Sequence, residues 1–196
     1  RICKEISDKY RFEFDLNDIL SMLVYSRIIF PGSKRSSLEL SQKFLEQPKC
    51  DLHQVYRGLE ILSKENILFQ SHLYSNSDQA IERRKGILYY DCTNYYFEIE
   101  DEDDFRRYGA SKEHRPNPIV QMGLFMDADG IPLSFTVFNG NENEQPTMTP
   151  LEEKMISDFG MQKFIVCTDA GLSSTANRRF NNTANRRFVT TQSIKK

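Results

Sequence analysis

Two aspartates, each set in or at the end of an apolar run with β character, constrain this chain more than any other feature. The first lies in Ile87-Leu88-Tyr89-Tyr90-Asp91-Cys92-Thr93-Asn94-Tyr95-Tyr96-Phe97, and the second in Lys163-Phe164-Ile165-Val166-Cys167-Thr168-Asp169-Ala170-Gly171. A carboxylate is costly in an apolar strand unless it is paired or binds a cation. Two such strands side by side would bring two hard oxygen ligands together, a set that suits Mg²⁺ or Mn²⁺. Asp91 and Asp169 are therefore the candidate catalytic and metal-ligating residues.

The segment between them reads cleanly. Pro118 to Met126 and Ile131 to Phe138 are strand candidates, joined by Asp127-Ala128-Asp129-Gly130, whose Asp-Gly pair signals a hairpin. After the polar loop Gly140-Asn141-Glu142-Asn143-Glu144, the pattern predicts a helix over Thr147 to Phe159. Pro150 suits its first turn, and Leu151, Met155, Ile156 and Phe159 make one apolar face. Gly160 closes that helix before the second aspartate strand. The order is strand, strand, strand, helix, strand, with acids on the first and last strands. A helical crossover is the expected link between parallel neighbours.

This order matches the opening half of a ribonuclease H-like fold, in which the first and fourth strands are adjacent and parallel. From Gly86 to about Asn177 the residues also resemble the DDE transposases of bacterial insertion sequences. The matching pieces are Tyr90 to Glu98, Gly109-Ala110-Ser111-Lys112-Glu113-His114-Arg115-Pro116, Met122 to Asp127, Gly140 to Glu144 and Thr168-Asp169-Ala170-Gly171-Leu172, in that order. The resemblance implies an α/β fold, a partial ribonuclease H-like mixed sheet over 86–196 preceded by a small helical region over 1–80. It implies metal-dependent cleavage and strand transfer at transposon ends, with Asp91 bridging two ions and Asp169 holding one. The implied partners are transposon-end and target DNA, with a homodimer as a further expectation.

Such transposases carry a third acid, a glutamate on a later helix in a Tyr-x-x-Arg-x-x-x-Glu-x-x-x-x-x-x-Lys pattern. No residue after Asp169 is acidic, and the chain opens at Arg1 without an initiator methionine. The expectation is a fragment that lacks the third acid and is inactive alone. The competing expectation is a transposase remnant that at most binds DNA. Haloacid dehalogenase-like phosphatases also place an aspartate after an apolar strand, but they need a second one two positions later, where this chain has Thr93.

A formal net charge of −2 rules out a global basic field. Charge is instead segregated. Glu98, Glu100, Asp101, Glu102, Asp103 and Asp104 are followed by Arg106, Arg107, Lys112 and Arg115, and the only charges beyond Ala170 are Arg178, Arg179, Arg186, Arg187, Lys195 and Lys196. With Ser111, those arginines and Lys112 are the candidate phosphate contacts on DNA; a solvated surface strip is the alternative. Cys3, Cys50, Cys92 and Cys167 show no zinc spacing and read as reduced thiols of a cytoplasmic protein. The apolar stretch Ile19 to Phe30 is too short to span a bilayer, so no membrane association is expected.

The N-terminal pattern predicts three helices. Asn17 or Asp18 caps the first, which runs through Ile29 to a stop at Pro31-Gly32. Ser36-Ser37-Leu38-Glu39 is a capping box for a second carrying Leu40, Phe44 and Leu45. Asp51 with Gln54 starts a third, with Leu52, Val55, Tyr56, Leu59 and Leu62 on one face. Such helices fit a helix-turn-helix DNA reader or a packing or dimerisation bundle. Finally, Thr175-Ala176-Asn177-Arg178-Arg179-Phe180 recurs as Thr183-Ala184-Asn185-Arg186-Arg187-Phe188. The second copy is a strand candidate leading into Val189-Thr190-Thr191, and two Arg-Arg-Phe clusters suit a nucleic-acid backbone and base stacking.

Overall fold

A computed structural model describes residues 2–192, and its backbone divides into two compact units, 1–72 and 73–196. The first unit is helical: α1 (Ile2–Tyr10), α2 (Leu16–Ile29), α3 (Lys34–Ser41), α4 (Leu52–Lys64) and the start of α5 (Asn66–Ala80). Its core gathers Ile6, Leu16, Ile19, Met22, Val55 and Ile61. Glu65, the one residue between α4 and α5, accepts bonds from Lys9 Nζ and Tyr10 OH, both at 2.6 Å, and so ties α1 to that junction.

Two helix starts differ from expectation. Asp15, not Asn17 or Asp18, caps α2: its Oδ1 accepts the Asn17 and Asp18 amides at 2.7 and 3.3 Å, so the helix begins early enough to bury Leu16. Ser33 rather than Ser36 caps α3, taking the Ser36 amide at 3.1 Å. That helix ends at Ser41, which leaves Phe44 and Leu45 in the following loop instead of on its face. The Asp51/Gln54 capping box of α4 forms as expected, with bonds of 2.7 and 2.9 Å. The buried face of α4 is Val55, Gly58 and Ile61, and Tyr56 points outward.

The second unit is built on a five-stranded sheet of order β3-β2-β1-β4-β5. Its strands are β1 (Ile87–Tyr96), β2 (Ile119–Met126), β3 (Pro132–Asn139), β4 (Phe164–Thr168) and β5 (Arg186–Thr190). The β1–β2 and β2–β3 pairs are antiparallel, whereas β1–β4 and β4–β5 are parallel. Strand β2 alone thus opposes the others, which is the ribonuclease H-like arrangement. Helix α6 (Met148–Asp158) makes the crossover from β3 to β4. It stops as the sequence predicts: Gly160 adopts φ +65°, and the Phe159 and Met161 amides both return to the Met155 carbonyl.

Alternation along β1 divides the sheet into two faces. Leu88, Tyr90 and Cys92 are buried with Phe125, Val166, Met148, Leu151 and Met155. The Tyr90 hydroxyl is within 2.7 Å of Thr147 Oγ1, and burial raises its pKa. The opposite face carries Ile87, Tyr89 and Asp91, all exposed. Glycine is required where the loop after β1 meets the end of β3: a Cβ on Gly109 would overlap the Gly140 carbonyl, and one on Gly140 would overlap the Ile119 and Arg107 carbonyls.

Candidate functional site

Asp91 lies on β1, and Asp169 follows the end of β4, the strand that pairs in parallel with β1 from Ile87↔Ile165 to Tyr89↔Cys167. Adjacent strands lie about 4.8 Å apart. Asp91 belongs to the open face of β1, and Asp169, the residue after β4, keeps extended backbone (φ −74°, ψ 174°). Both are exposed. Asp91 Oδ1 accepts the Cys92 amide at 2.8 Å, and Asp169 Oδ1 accepts the Leu172 amide at 3.1 Å, capping the 3₁₀ turn Ala170–Leu172.

The donor set has a definite capacity. Among the described residues no group of three or more His, Cys, Asp or Glu is placed to hold a metal ion. Two exposed carboxylates fit an ion of the Mg²⁺ type, which keeps several waters and commonly completes its shell with substrate phosphates. They do not make an all-protein cage. Lys112 stands beside them, with Nζ 3.9 Å from Asp91 Oδ1 and donating to the Cys92 carbonyl. Its backbone is held by Asn94, whose Oδ1 accepts the Lys112 amide at 3.3 Å.

The other sequence-proposed phosphate contacts fall into two groups. Those after β1 already face acids. Asp103 accepts the Arg106 amide at 2.6 Å, Arg106 Nε at 2.6 Å and the Phe105 amide at 2.9 Å, which together bring its pKa down to about 2. Arg107 lies 3.5 Å from Glu102 and 4.0 Å from Asp104. Arg115 lies 3.7 Å from Glu113 and over the Tyr96 ring, while Ser111 Oγ accepts the Arg115 amide. The acidic run thus neutralises Arg106 and Arg107, and Glu113 faces Arg115.

The second group behaves differently. The first copy of the repeated hexapeptide is α7 (Thr175–Phe180), and the second forms a turn entering β5. Arg178, Arg179 and Arg187 line one cavity of about 380 Å³ with Thr175, Asn181, Asn182, Phe188 and Thr190. Arg186 turns inward, stacking over Phe180 and donating to its carbonyl at 3.2 Å. Thr190 was not foreseen: its hydroxyl donates to the Asp169 carbonyl at 2.8 Å, joining this cavity to the second aspartate. Its position beside Thr168 in the β4–β5 register was the available signal.

Asn177 holds the surrounding turns. Its Nδ2 donates to the Gln145 and Leu172 carbonyls, both at 2.9 Å, and its Oδ1 accepts from Thr149 at 3.2 Å. Asn177→Ala strands one buried and one part-buried carbonyl and is expected to cost about 2 kcal/mol of stability, measured by urea unfolding.

Comparison with solved structures returns transposases. The Mos1 transposase paired-end complex with left transposon end aligns with a TM-score of 0.38 and 12% identity, over 89% of this chain and 58% of that one. The Mos1 mariner paired end complex with Mn aligns at 0.35 and 10%, over 89% and 57%. A pre-cleavage Mos1 transpososome aligns at 0.37 and 10%, over 89% and 57%. This chain therefore spans under two thirds of those chains. No family model and no curated protein matches it. Among the described residues no helix is long and apolar enough to cross a membrane.

Proposed function

We propose that this chain is part of a DDE transposase of the insertion-sequence type, acting in metal-dependent DNA cleavage and strand transfer at transposon ends. The observation that supports this reading is the placement of Asp91 on β1 and of Asp169 immediately after β4, the parallel neighbour of β1. Asp91 and Asp169 would hold Mg²⁺ or Mn²⁺, which supplies Lewis-acid charge to a scissile phosphate. Lys112 offsets part of the Asp91 charge in the free chain and lies where a phosphate oxygen would approach. Transposon-end and target DNA are the proposed partners, and residues 1–80 are proposed as a DNA-reading or dimerising region.

Two carboxylates favour binding over turnover. The chain alone is expected to bind Mn²⁺ weakly and to leave a transposon-end duplex uncut. Mn²⁺ titration followed by electron paramagnetic resonance checks the site. Asp91→Asn or Asp169→Asn should each weaken binding at least about tenfold, or about 1.4 kcal/mol. Unchanged affinity in both variants removes the metal-site reading. Cleavage by the chain alone, lost in Asp91→Ala, would show that two acids suffice. The absence of a third clustered acid among the described residues favours one second reading, a remnant that binds DNA without cutting it.

A further inference from the structure

The duplicated hexapeptide builds one cavity from both of its copies. Arg178 and Arg179 come from the helical copy and Arg187 from the strand copy, meeting at the β5 edge. Among the described residues none of the three forms an ion pair, whereas Arg106, Arg107 and Arg115 each face a carboxylate. Residues 170–196 carry no Asp or Glu. Three guanidinium groups around one cavity repel one another until an anion enters. Their planar forks suit phosphate oxygens, and the Thr175 hydroxyl and the Asn182 amide add neutral donors at the same wall.

We propose that this cavity binds a backbone phosphodiester of a nucleic-acid strand and, through Thr190, holds that strand next to Asp169. The assignment of the anion to a strand rests on the transposase reading; the anion site itself rests on the arginines. The repeat then has a physical role. Copying Arg-Arg-Phe put one pair on a helix and the other on the neighbouring edge strand, so both segments contribute charge to a single site. In the second copy only Arg187 serves it, because Arg186 is spent on Phe180 and the interior.

The test uses the full chain without divalent ions, so that a failed metal site leaves its result standing. A labelled single-stranded oligonucleotide is titrated by fluorescence anisotropy over a salt series. Arg178→Gln, Arg179→Gln and Arg187→Gln are each expected to weaken binding about fivefold at ~0.1 M salt and to reduce the log–log salt slope by about 0.7. The triple variant loses on the order of a hundredfold. Arg106→Gln, whose partner is Asp103, changes affinity by less than about twofold, as expected for a surface pair already neutralised. Inorganic phosphate should shift the Nε–Hε resonances of Arg178, Arg179 and Arg187. A triple variant with native circular dichroism and unchanged affinity and slope overturns the proposal. Phosphate shifts without any loss of oligonucleotide affinity also overturn it, assigning the cavity to a free anion.

Discussion

Alanine in place of Asp127 is expected to lower the unfolding free energy of the sheet-containing unit by about 3–5 kcal/mol. Asp127 and Arg83 have fully buried side chains, and Arg83 Nε donates to Asp127 Oδ2 at 2.5 Å. The remaining guanidinium donors reach Ser77 Oγ at 2.6 Å and the Ile131 and Pro132 carbonyls at 3.0 and 3.1 Å. Asp127 Oδ1 accepts the Asp129 and Ile131 amides at 3.0 and 2.9 Å, so the same carboxylate shapes the β2–β3 hairpin. Removing it leaves a buried cation without its counter-charge and opens the turn. Chemical denaturation of Asp127→Ala and Asp127→Asn measures the effect. The asparagine variant keeps a turn acceptor and should fall between alanine and wild type. A loss below about 1 kcal/mol in the alanine variant would mean that the cation is readily rehydrated.

The second large effect is pH-dependent and comes from Glu152. This α6 side chain is fully buried, its Oε1 accepts from Asn181 Nδ2 at 2.8 Å, and its Oε2 has no partner. Burial pushes its pKa from 4.5 up to about 8, opposed by the Asn181 bond and the Arg186 charge. Between those two values the unfolded chain is ionised at this position and the folded chain holds the proton. Stability from this group is therefore full below pH 4.5 and is lost as pH rises to about 8. The slope is about 1.4 kcal/mol per pH unit, at most about 5 kcal/mol in total. Glu152→Gln keeps the acceptor for Asn181 and should flatten this part of the profile, with a gain over wild type that grows toward pH 8. Equal slopes in both proteins would indicate that Glu152 stays ionised beside Arg186.

Local chemistry made some elements legible and hid others. The strands stood out because one buried face imposes period-two alternation, seen in Leu88, Tyr90 and Cys92. Asp51 with Gln54 and Gly160 worked because each device acts within a few residues. Ser36 misled because Ser33, three residues earlier, reaches the same first turn. Helix α5 went unread: Asn66–Ala80 carries no concentrated apolar face. Helix α1 is a short segment at residues 2–10 whose packing residues, Ile2, Cys3 and Ile6, gain meaning only from the rest of the core. At the candidate site, the order of strands made the parallel pairing of β1 with β4 readable. The cavity was not, since Arg187 meets Arg178 only after identical hexapeptides take different structures.

That divergence has a folding consequence. Flanking residues decide each copy: Ser174 accepts the Asn177 amide to start the helix, whereas Thr183 accepts the Asn185 and Arg186 amides in a turn before β5. Eight residues separate the copies, an even number. A chain in which the first copy entered the sheet beside β4 would still present every side chain of Arg-Arg-Phe to its native face. The usual penalty for a slipped strand, an inverted face, is thus missing from this edge. What remains against the slip is the burial of Asn177 with its three bonds, so this asparagine also guards the register at which the sheet is completed.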